Sequence, residues 1–315
     1  MGSVKKREVS SLPTFKDTAP EQTIHEIAMP LIAYREGVLA YASGTAFVVG
    51  RGYAITAYHV IQDFATKFEG KRDIMGKNLE FDTQIFAYLT LKEGKELLPI
   101  RILKIWASAP LDLALLAFGV PSDFPNEHRW KVPILQLLPP KVGTPICGFG
   151  FAESVISKKP EGSIPELKTK PVTTTGKVIE IHHEIRDDCR LPFPCFRTNA
   201  RFDGGMSGGP IFNAITGHIC GVICSSLPAT TDEEDHISYA SSLWPIVGSK
   251  CDASRIHFSG ADPYPVFKLF EKGIIRANDF EKVLIATNEM GQLTPIANYS
   301  RSEWDTYICI KAPWD

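Results

Sequence analysis

The 315-residue chain lacks an apolar run of the ~18 residues that a membrane-spanning helix needs. Residues 1–20 are polar and lack the apolar core of a secretory signal peptide. The net charge is only −2, so the sequence indicates no basic surface for nucleic acid or an anionic membrane. We therefore expect a cytoplasmic protein that binds neither nucleic acid nor membrane.

Cysteine is sparse and irregularly spaced. The seven cysteines are an odd number, and no two of them are separated by two residues as in metal-binding pairs. Cys189 and Cys195 could pair in an oxidising compartment, but without an export signal we expect reduced thiols. His182 and His183 lie close by in the chain, yet their spacing from the cysteines does not match a zinc site. We expect no metal and no cofactor.

The most informative feature that is present is Ser207, a hydroxyl set among four glycines in the run DGGMSGGP at 203–210. Glycines allow the backbone to turn sharply, and they let a substrate carbonyl approach main-chain N–H groups that a Cβ would shield. A serine alone is inert at neutral pH, because it needs a base and a third group that orients the base. Ser207 is therefore a candidate nucleophile that requires a base and an orienting residue elsewhere in the chain.

Two residues of the required types lie upstream. His59 follows the apolar, β-branched segment 53–57 and is predicted to end the second of two short strands. Asp112 opens the wholly apolar segment 113–118, where an unpaired carboxylate would be costly. Each residue alone fits an ordinary structural role, but the order His, Asp, Ser with strand context at each favours a catalytic set.

The segments TAYHV at 56–60, DLALL at 112–116 and GMSGGP at 205–210 resemble the three catalytic blocks of the chymotrypsin-like (trypsin-like) serine peptidases. They are closest to the HtrA-type branch, and VGTPICGFGF at 142–151 is similar to the first strand of that family's second barrel. The resemblance covers residues 25–250. It implies an all-β fold of two six-stranded antiparallel β-barrels with the catalytic residues between them.

What the resemblance implies for the site is specific. His59 would be the general base, Asp112 would orient it, and the backbone N–H groups of Gly205 and Ser207 would form the oxyanion hole. In the digestive members an aspartate precedes the serine and binds the N-terminus freed by zymogen cleavage, whereas this chain has Met206 there. We therefore expect activation without a freed N-terminus.

The resemblance also indicates a primary substrate pocket. It places Arg201 at the base of the pocket, and Cys224 and Ser226 on the flanking strand. A guanidinium there would favour an acidic substrate side chain through a bidentate ion pair. The alternative, that Arg201 points to solvent from a loop of different length, stays open.

The chain divides into four parts by this interpretation: a flexible N-terminal arm (1–22), a first β-barrel (23–130), a second β-barrel (131–250) and a C-terminal extension (251–315). The extension shows helical periodicity over 265–275 and a helix start at Asp279, which predicts a second helix over 279–286. It is short for a PDZ domain and has no recognisable peptide-carboxylate loop. It could pack on the second barrel or bind an activating or gating partner protein.

The function predicted is that of a serine endopeptidase acting on a protein or peptide substrate through an acyl-enzyme. The motif G-x-S-x-G at 205–209 also fits the nucleophile elbow of an α/β-hydrolase esterase. That elbow runs into a helix, whereas PIFN at 210–213 is typical of a turn followed by a strand. A catalytically silent, peptidase-like binding module is the third possibility.

Overall fold

The structure is a computed structural model, and it describes residues 14–19, 23–35, 40–68, 71–72, 79–80, 84–91, 96–119, 131–157, 166–227, 236–251, 264–287 and 293–298. The fold is mainly β, with two closed six-stranded antiparallel barrels and few helices. The predicted fold class is confirmed. None of the helices in these ranges has the length and apolar character required to span a membrane.

The N-terminal half contains one short strand outside the first barrel, the six barrel strands, one helix and a minor hairpin. These elements are β1 (Thr14–Asp17), β2 (Ala28–Tyr34), β3 (Tyr41–Gly50), β4 (Tyr53–Thr56), α1 (Tyr58–Lys67), β5 (Lys71–Arg72), β6 (Leu79–Glu80), β7 (Gln84–Leu91), β8 (Glu96–Ser108) and β9 (Leu113–Phe118). The barrel closes in the order β2-β3-β4-β9-β8-β7, and β5 pairs only with β6. Strands β4 and β9 are buried along their whole length, as expected for apolar runs that face a closed core.

The second half contains the other barrel and the C-terminal extension. Its elements are β10 (Ile134–Leu135), β11 (Pro145–Ser157), β12 (Glu166–His182), β13 (Cys195–Thr198), β14 (Pro210–Asn213), β15 (Ile219–Leu227), β16 (Ile237–Ser241), β17 (Lys250–Cys251), β18 (Tyr264–Pro265), α2 (Phe267–Glu271), β19 (Arg276–Ala277), β20 (Val283–Thr287) and β21 (Leu293–Ala297). The path β14-β11-β12-β13-β16-β15 closes through the β14–β15 pairing. Short 3-10 helices span Thr23–Glu26, Ala109–Leu111, Trp244–Gly248 and Phe280–Lys282.

The prediction of a flexible arm over 1–22 is wrong for β1. Thr14–Asp17 pairs antiparallel with β12 in the sheet of the second barrel, in the register Thr14 opposite Thr175. The hydroxyls of these two threonines are 2.7 Å apart. Residues 1–13 lie outside the described part of the chain, so the arm prediction is untested there.

The C-terminal extension departs from prediction in two ways. A helix does form within 265–275, but the second predicted helix is wrong, because 279–286 is a 3-10 turn followed by strand β20. Alternating β-branched residues in VLIAT suit a strand better than a helix. The extension also packs against the first barrel and not the second alone: a Cβ on Gly50 would lie 2.6 Å from the carbonyl oxygen of Ile274.

Asp279 fixes the extension to the segment that connects the two barrels. Its carboxylate oxygens accept hydrogen bonds from the backbone N–H groups of Leu137 (2.8 Å) and Leu138 (3.0 Å). The residue is buried, and burial raises the pKa of its carboxyl group. Residues from the extension and from both barrels share one apolar cluster, so the extension packs against both barrels.

Candidate active site

His59 lies in the first turn of α1, not at the end of a strand as predicted, because β4 ends at Thr56. The residue before the helix is Ala57, whose side chain cannot cap the helix. The first N–H groups of a helix have no partners within it. Here the backbone N–H of His59 donates to Asp112 Oδ1 at 3.1 Å. Asp112 thus caps the helix that carries the histidine.

Asp112 also binds the imidazole. It directly precedes β9 and has a left-handed backbone conformation (φ 47°) that is uncommon for residues other than glycine and is often found at functional sites. Its side chain is buried, and its two oxygens lie 2.9 and 3.0 Å from His59 Nδ1. A carboxylate only accepts hydrogen bonds, so it selects the tautomer with a proton on Nδ1. The unprotonated Nε2 is then left as a base.

The loop around Ser207 requires glycine at positions 205 and 208. Gly205 has a φ of 87°, and a Cβ there would lie 2.4 Å from the carbonyl oxygen of Phe151. A Cβ on Gly208 would lie 2.2 Å from the carbonyl oxygen of Thr45. The N–H of Met206 donates to the carbonyl oxygen of Asp203 at 3.1 Å, closing a turn with Gly205 at its third position. A positive φ at that position is the mark of a type II turn.

This turn leaves two backbone donors available. Within the part of the chain that the structure describes, the N–H groups of Gly205 and Ser207 donate to no protein acceptor. Buried or half-buried N–H groups are rarely left without a partner unless water or a ligand binds them. Two such donors on one short loop beside a serine form the kind of arrangement that binds an oxyanion.

The Ser207 hydroxyl contacts the carbonyl oxygen of Cys224 at 3.5 Å. Among the described residues no hydrogen bond joins this hydroxyl to His59. In apo structures catalytic hydrogen bonds are often long or poorly aligned, and they tighten when substrate binds. The serine is half-buried, at the seam between the two barrels.

Met206 is fully buried within the core of the second barrel. A Cβ on Gly150 would lie 2.6 Å from its Cα, so the backbone of this loop packs closely against β11. An apolar side chain therefore fills the position that precedes the serine, and it needs no ion pair to hold it there.

Two of the three predicted pocket residues lie on β15. Cys224 is buried next to Asp112, and burial followed by the charge of that carboxylate raises the pKa of its thiol well above the ordinary value. Ser226 is half-buried, and its hydroxyl oxygen accepts a hydrogen bond from Ser238 at 3.0 Å.

Arg201, the third, is exposed and already paired. Its guanidinium donates to both carboxylate oxygens of Asp203 at 2.7 and 2.8 Å, and it lies 4.4 Å from the centre of the Phe15 ring. A guanidinium that is neutralised by a carboxylate has less charge to offer an acidic substrate side chain. These contacts favour the alternative in which Arg201 lies on the surface.

An open cleft of about 530 Å³ adjoins the loop of residues 203–208, hereafter the oxyanion loop, at Gly204 and Gly205. Three carboxylates line it: Asp63, Glu153 and Asp203. Asp63 Oδ2 accepts hydrogen bonds from the hydroxyls of Tyr41 and Ser43, both at 2.8 Å. The cleft is large enough for one or two amino-acid side chains.

Within the described ranges, one group of side chains has the spacing of a metal site: His59, Asp112 and Cys224, whose ligating atoms lie within 4.8 Å of one another. The imidazole and the carboxylate in this group already bind each other. The cysteine and histidine residues that the sequence brings close at 182–195 form no such group.

The residues of this 182–195 segment differ in burial. Cys189 is exposed and Cys195 is buried, and both are free thiols. Burial raises the pKa of Cys195 to about 12 and lowers the pKa of His183 to about 4. Burial also lowers the pKa of His182. His182 is buried and His183 is half-buried, and this burial favours the neutral form of both imidazoles.

The match that decides the family is to the Trypsin-like peptidase domain, which covers residues 44–222, more than half of the 315-residue chain. The chain belongs to the trypsin-like peptidase family. The matched segment contains the histidine, the aspartate and the serine discussed above. No curated protein matches the chain.

The solved structures that are similar to this chain include two protease domains. The MamO protease domain from Magnetospirillum magneticum (apo form) is 18% identical, and the alignment covers 76% of this chain and 98% of that one with a TM-score of 0.40. The Rv3671c protease from M. tuberculosis (active form) is 13% identical, with 84% and 98% covered and a TM-score of 0.45. At such low identity, function has to be argued from the residues of this chain.

One residue at the site was missed by sequence reasoning. Thr45 is fully buried in β3 and makes four hydrogen bonds around the oxyanion loop. A threonine in an apolar strand is common and carries no chemical signal of its own. Its role depends on contacts across the seam between the two barrels, which sequence spacing does not reveal.

Proposed function

We propose that this member of the trypsin-like peptidase family is a serine endopeptidase. Ser207 is the nucleophile, His59 the general base and Asp112 the residue that orients the base. Ser207 Oγ bonds to the carbonyl carbon of the substrate while His59 takes the hydroxyl proton. His59 then gives that proton to the leaving amine as the C–N bond breaks, and water releases the acyl group by the same route.

The observation that carries the proposal is the double attachment of His59 to Asp112, through Nδ1 and through the backbone N–H. A histidine with a purely structural role does not need its tautomer and its helix to be set by one buried carboxylate. The unengaged N–H groups of Gly205 and Ser207 add the oxyanion hole, where each donor contributes about 3–4 kcal/mol in comparable sites.

The structure around Met206 supports activation without a freed N-terminus. The side chain fills an apolar core position, so the loop has a packed arrangement that depends on no new ammonium group. We expect the uncut chain to react with reagents for active-site serines. Reactivity that arose only after N-terminal trimming would contradict this part of the proposal.

The esterase alternative does not fit the fold. Ser207 is followed by strand β14 and not by a helix, and the surrounding sheet is an antiparallel barrel. The second alternative, a catalytically silent binding module, has one observation in its favour: the Ser207 hydroxyl contacts the Cys224 carbonyl and not His59.

Peptide hydrolysis separates these possibilities. Wild type, Ser207→Ala, His59→Ala and the double variant are incubated with a peptide library, and new termini are identified by mass spectrometry. We expect cleavage by wild type, a loss of about a million-fold in kcat for Ser207→Ala, and little further loss in the double variant, because the three residues act as a unit. Single losses that multiply in the double variant, or a wild type that binds peptides without cutting them, would overturn the assignment.

A further inference from the structure

Thr45 joins the first barrel to the oxyanion loop of the second at two points. Its backbone N–H donates to the carbonyl oxygen of Ser207 at 2.8 Å, and its hydroxyl donates to the carbonyl oxygen of Gly205 at 2.9 Å. The same hydroxyl accepts a hydrogen bond from the N–H of Phe151 at 3.1 Å. The side chain is fully buried, so water does not compete for these bonds.

The two residues that Thr45 binds are the two that carry the oxyanion donors. An oxyanion hole works only when both N–H groups reach the same oxygen, which fixes the distance between them to a few tenths of an ångström. Gly205 is in a left-handed conformation that a glycine can leave at little cost. A hydrogen bond from a rigid strand to its carbonyl restrains that freedom.

Thr45 is also tied to the strand that leads to the base. The hydroxyl of Thr56, at the end of β4, donates to the carbonyl oxygen of Thr45 at 2.7 Å. Gly208 is packed against both groups, since a Cβ there would lie 2.2 Å from each. One residue of β3 therefore contacts the loop of the nucleophile and, through Thr56, the chain that enters α1.

We propose that Thr45 is a positioning residue that sets the separation of the two oxyanion donors by binding the carbonyl groups of Gly205 and Ser207. It touches neither substrate nor the reacting atoms, and it acts through the loop. The proposal rests on the function proposed above, because it assumes that Ser207 reacts and that its adduct places an oxygen in the hole.

The test uses a fluorophosphonate probe on the full chain, with labelling followed by intact mass. In this reaction Ser207 Oγ forms a bond to phosphorus, the P–F bond breaks, fluoride leaves and His59 takes the hydroxyl proton. The phosphoryl oxygen occupies the oxyanion hole. Thr45→Val removes the hydroxyl and keeps the shape and the backbone N–H. Thr45→Ser keeps the hydroxyl and removes a methyl group.

A matched control is Thr198→Val. Thr198 is also fully buried, and its hydroxyl oxygen accepts a hydrogen bond from the N–H of Ala200 at 3.1 Å and not from the loop that carries Ser207. Both valine substitutions remove one buried hydroxyl. A general loss of stability therefore affects both variants, whereas a loss of oxyanion geometry affects only Thr45→Val.

We expect Thr45→Val to be labelled about 10- to 100-fold more slowly than wild type, less than the loss of a whole donor. In peptide hydrolysis the variant should lower kcat and leave KM nearly unchanged, because the substrate ground state does not use the hole fully. Thr45→Ser and Thr198→Val should be labelled at close to the wild-type rate.

Three results would overturn the proposal. Thr45→Val could be labelled at the wild-type rate, Thr45→Ser could be labelled as slowly as Thr45→Val, or Thr198→Val could be labelled as slowly as Thr45→Val. If Thr45→Val does not fold, Thr45→Ala, which fits in the same space, takes its place. A wild type that is not labelled at all would instead refute the proposed function, so the two failures are distinguishable.

Discussion

The carboxylate of Asp112 binds His59 twice, accepting the imidazole Nδ1–H at 2.9 Å and the backbone N–H at 3.1 Å through the same oxygen. The first bond sets the tautomer and the second caps the first turn of α1. One buried side chain therefore determines both which nitrogen is the base and where the helix that carries it begins.

Asp112→Asn should lower kcat by about 10⁴-fold, because an amide that presents its NH₂ group to Nδ1 favours the wrong tautomer. The backbone N–H of His59 can still be bound by the amide oxygen, so we expect little change in the free energy of unfolding. Steady-state kinetics and urea denaturation of the same preparation measure the two effects. A loss of kcat that is fully explained by a lower free energy of unfolding would indicate a purely structural role for Asp112.

Gly205→Ala should abolish most of the activity, whereas Gly204→Ala should not. The Cβ of an alanine at position 205 would lie 2.4 Å from the carbonyl oxygen of Phe151, and the residue would need a left-handed φ. The turn must therefore rearrange, which moves the N–H of residue 205 out of the hole. A Cβ at position 204 meets nothing within 4 Å. We expect a loss of about 100-fold or more in kcat for the first variant. Similar kinetics for both variants would contradict the assignment of Gly205 to the hole.

Thiol reagents should modify Cys189 without affecting activity. Cys189 is exposed, while Cys224, beside the Asp112 carboxylate, is buried and has a raised pKa that keeps it protonated. Iodoacetamide treatment followed by peptide mapping and an activity assay tests this expectation. Inactivation that persists in Cys189→Ser and maps to Cys224 would show that the thiol next to Asp112 is accessible.

Asp279 should make the stability of the extension depend on pH. Burial raises its folded-state pKa above the unfolded value of about 3.9, so the folded protein binds the proton more tightly. The resulting stabilisation is present below about pH 4 and is lost as pH rises through the folded-state pKa. The free energy of unfolding of wild type, relative to Asp279→Asn, should fall with rising pH in this window. If the free energy of unfolding of wild type relative to Asp279→Asn rose with pH in this window, the expected pKa shift would be contradicted.

The sequence predicted the fold, and it singled out His59, Asp112 and Ser207 as candidate catalytic residues because each has a local signal. Ser207 is flanked by glycines, and His59 and Asp112 are polar residues that directly adjoin apolar segments. The predicted C-terminal helix at 279–286 was wrong, because apolar spacing over a few residues does not separate a helix from the strand that forms there.

Contacts between distant parts of the chain could not be predicted from the sequence. The pairing of β1 with β12, the cap that Asp112 provides for α1 and the bonds of Thr45 all join residues that are far apart in sequence. No local pattern encodes them. The surface position of Arg201 could not be predicted either, since its pairing with Asp203 depends on how the loop turns.

The central claim is that Ser207 is a nucleophile activated by His59, and covalent labelling tests it most directly. Wild type, Ser207→Ala and His59→Ala are treated with a fluorophosphonate probe, and the modified residue is located by peptide mapping. We predict one adduct on Ser207 of the wild type, none in Ser207→Ala, and greatly slowed labelling in His59→Ala. Labelling of Ser207 at the wild-type rate in His59→Ala, or a wild type that is never labelled, would contradict the account.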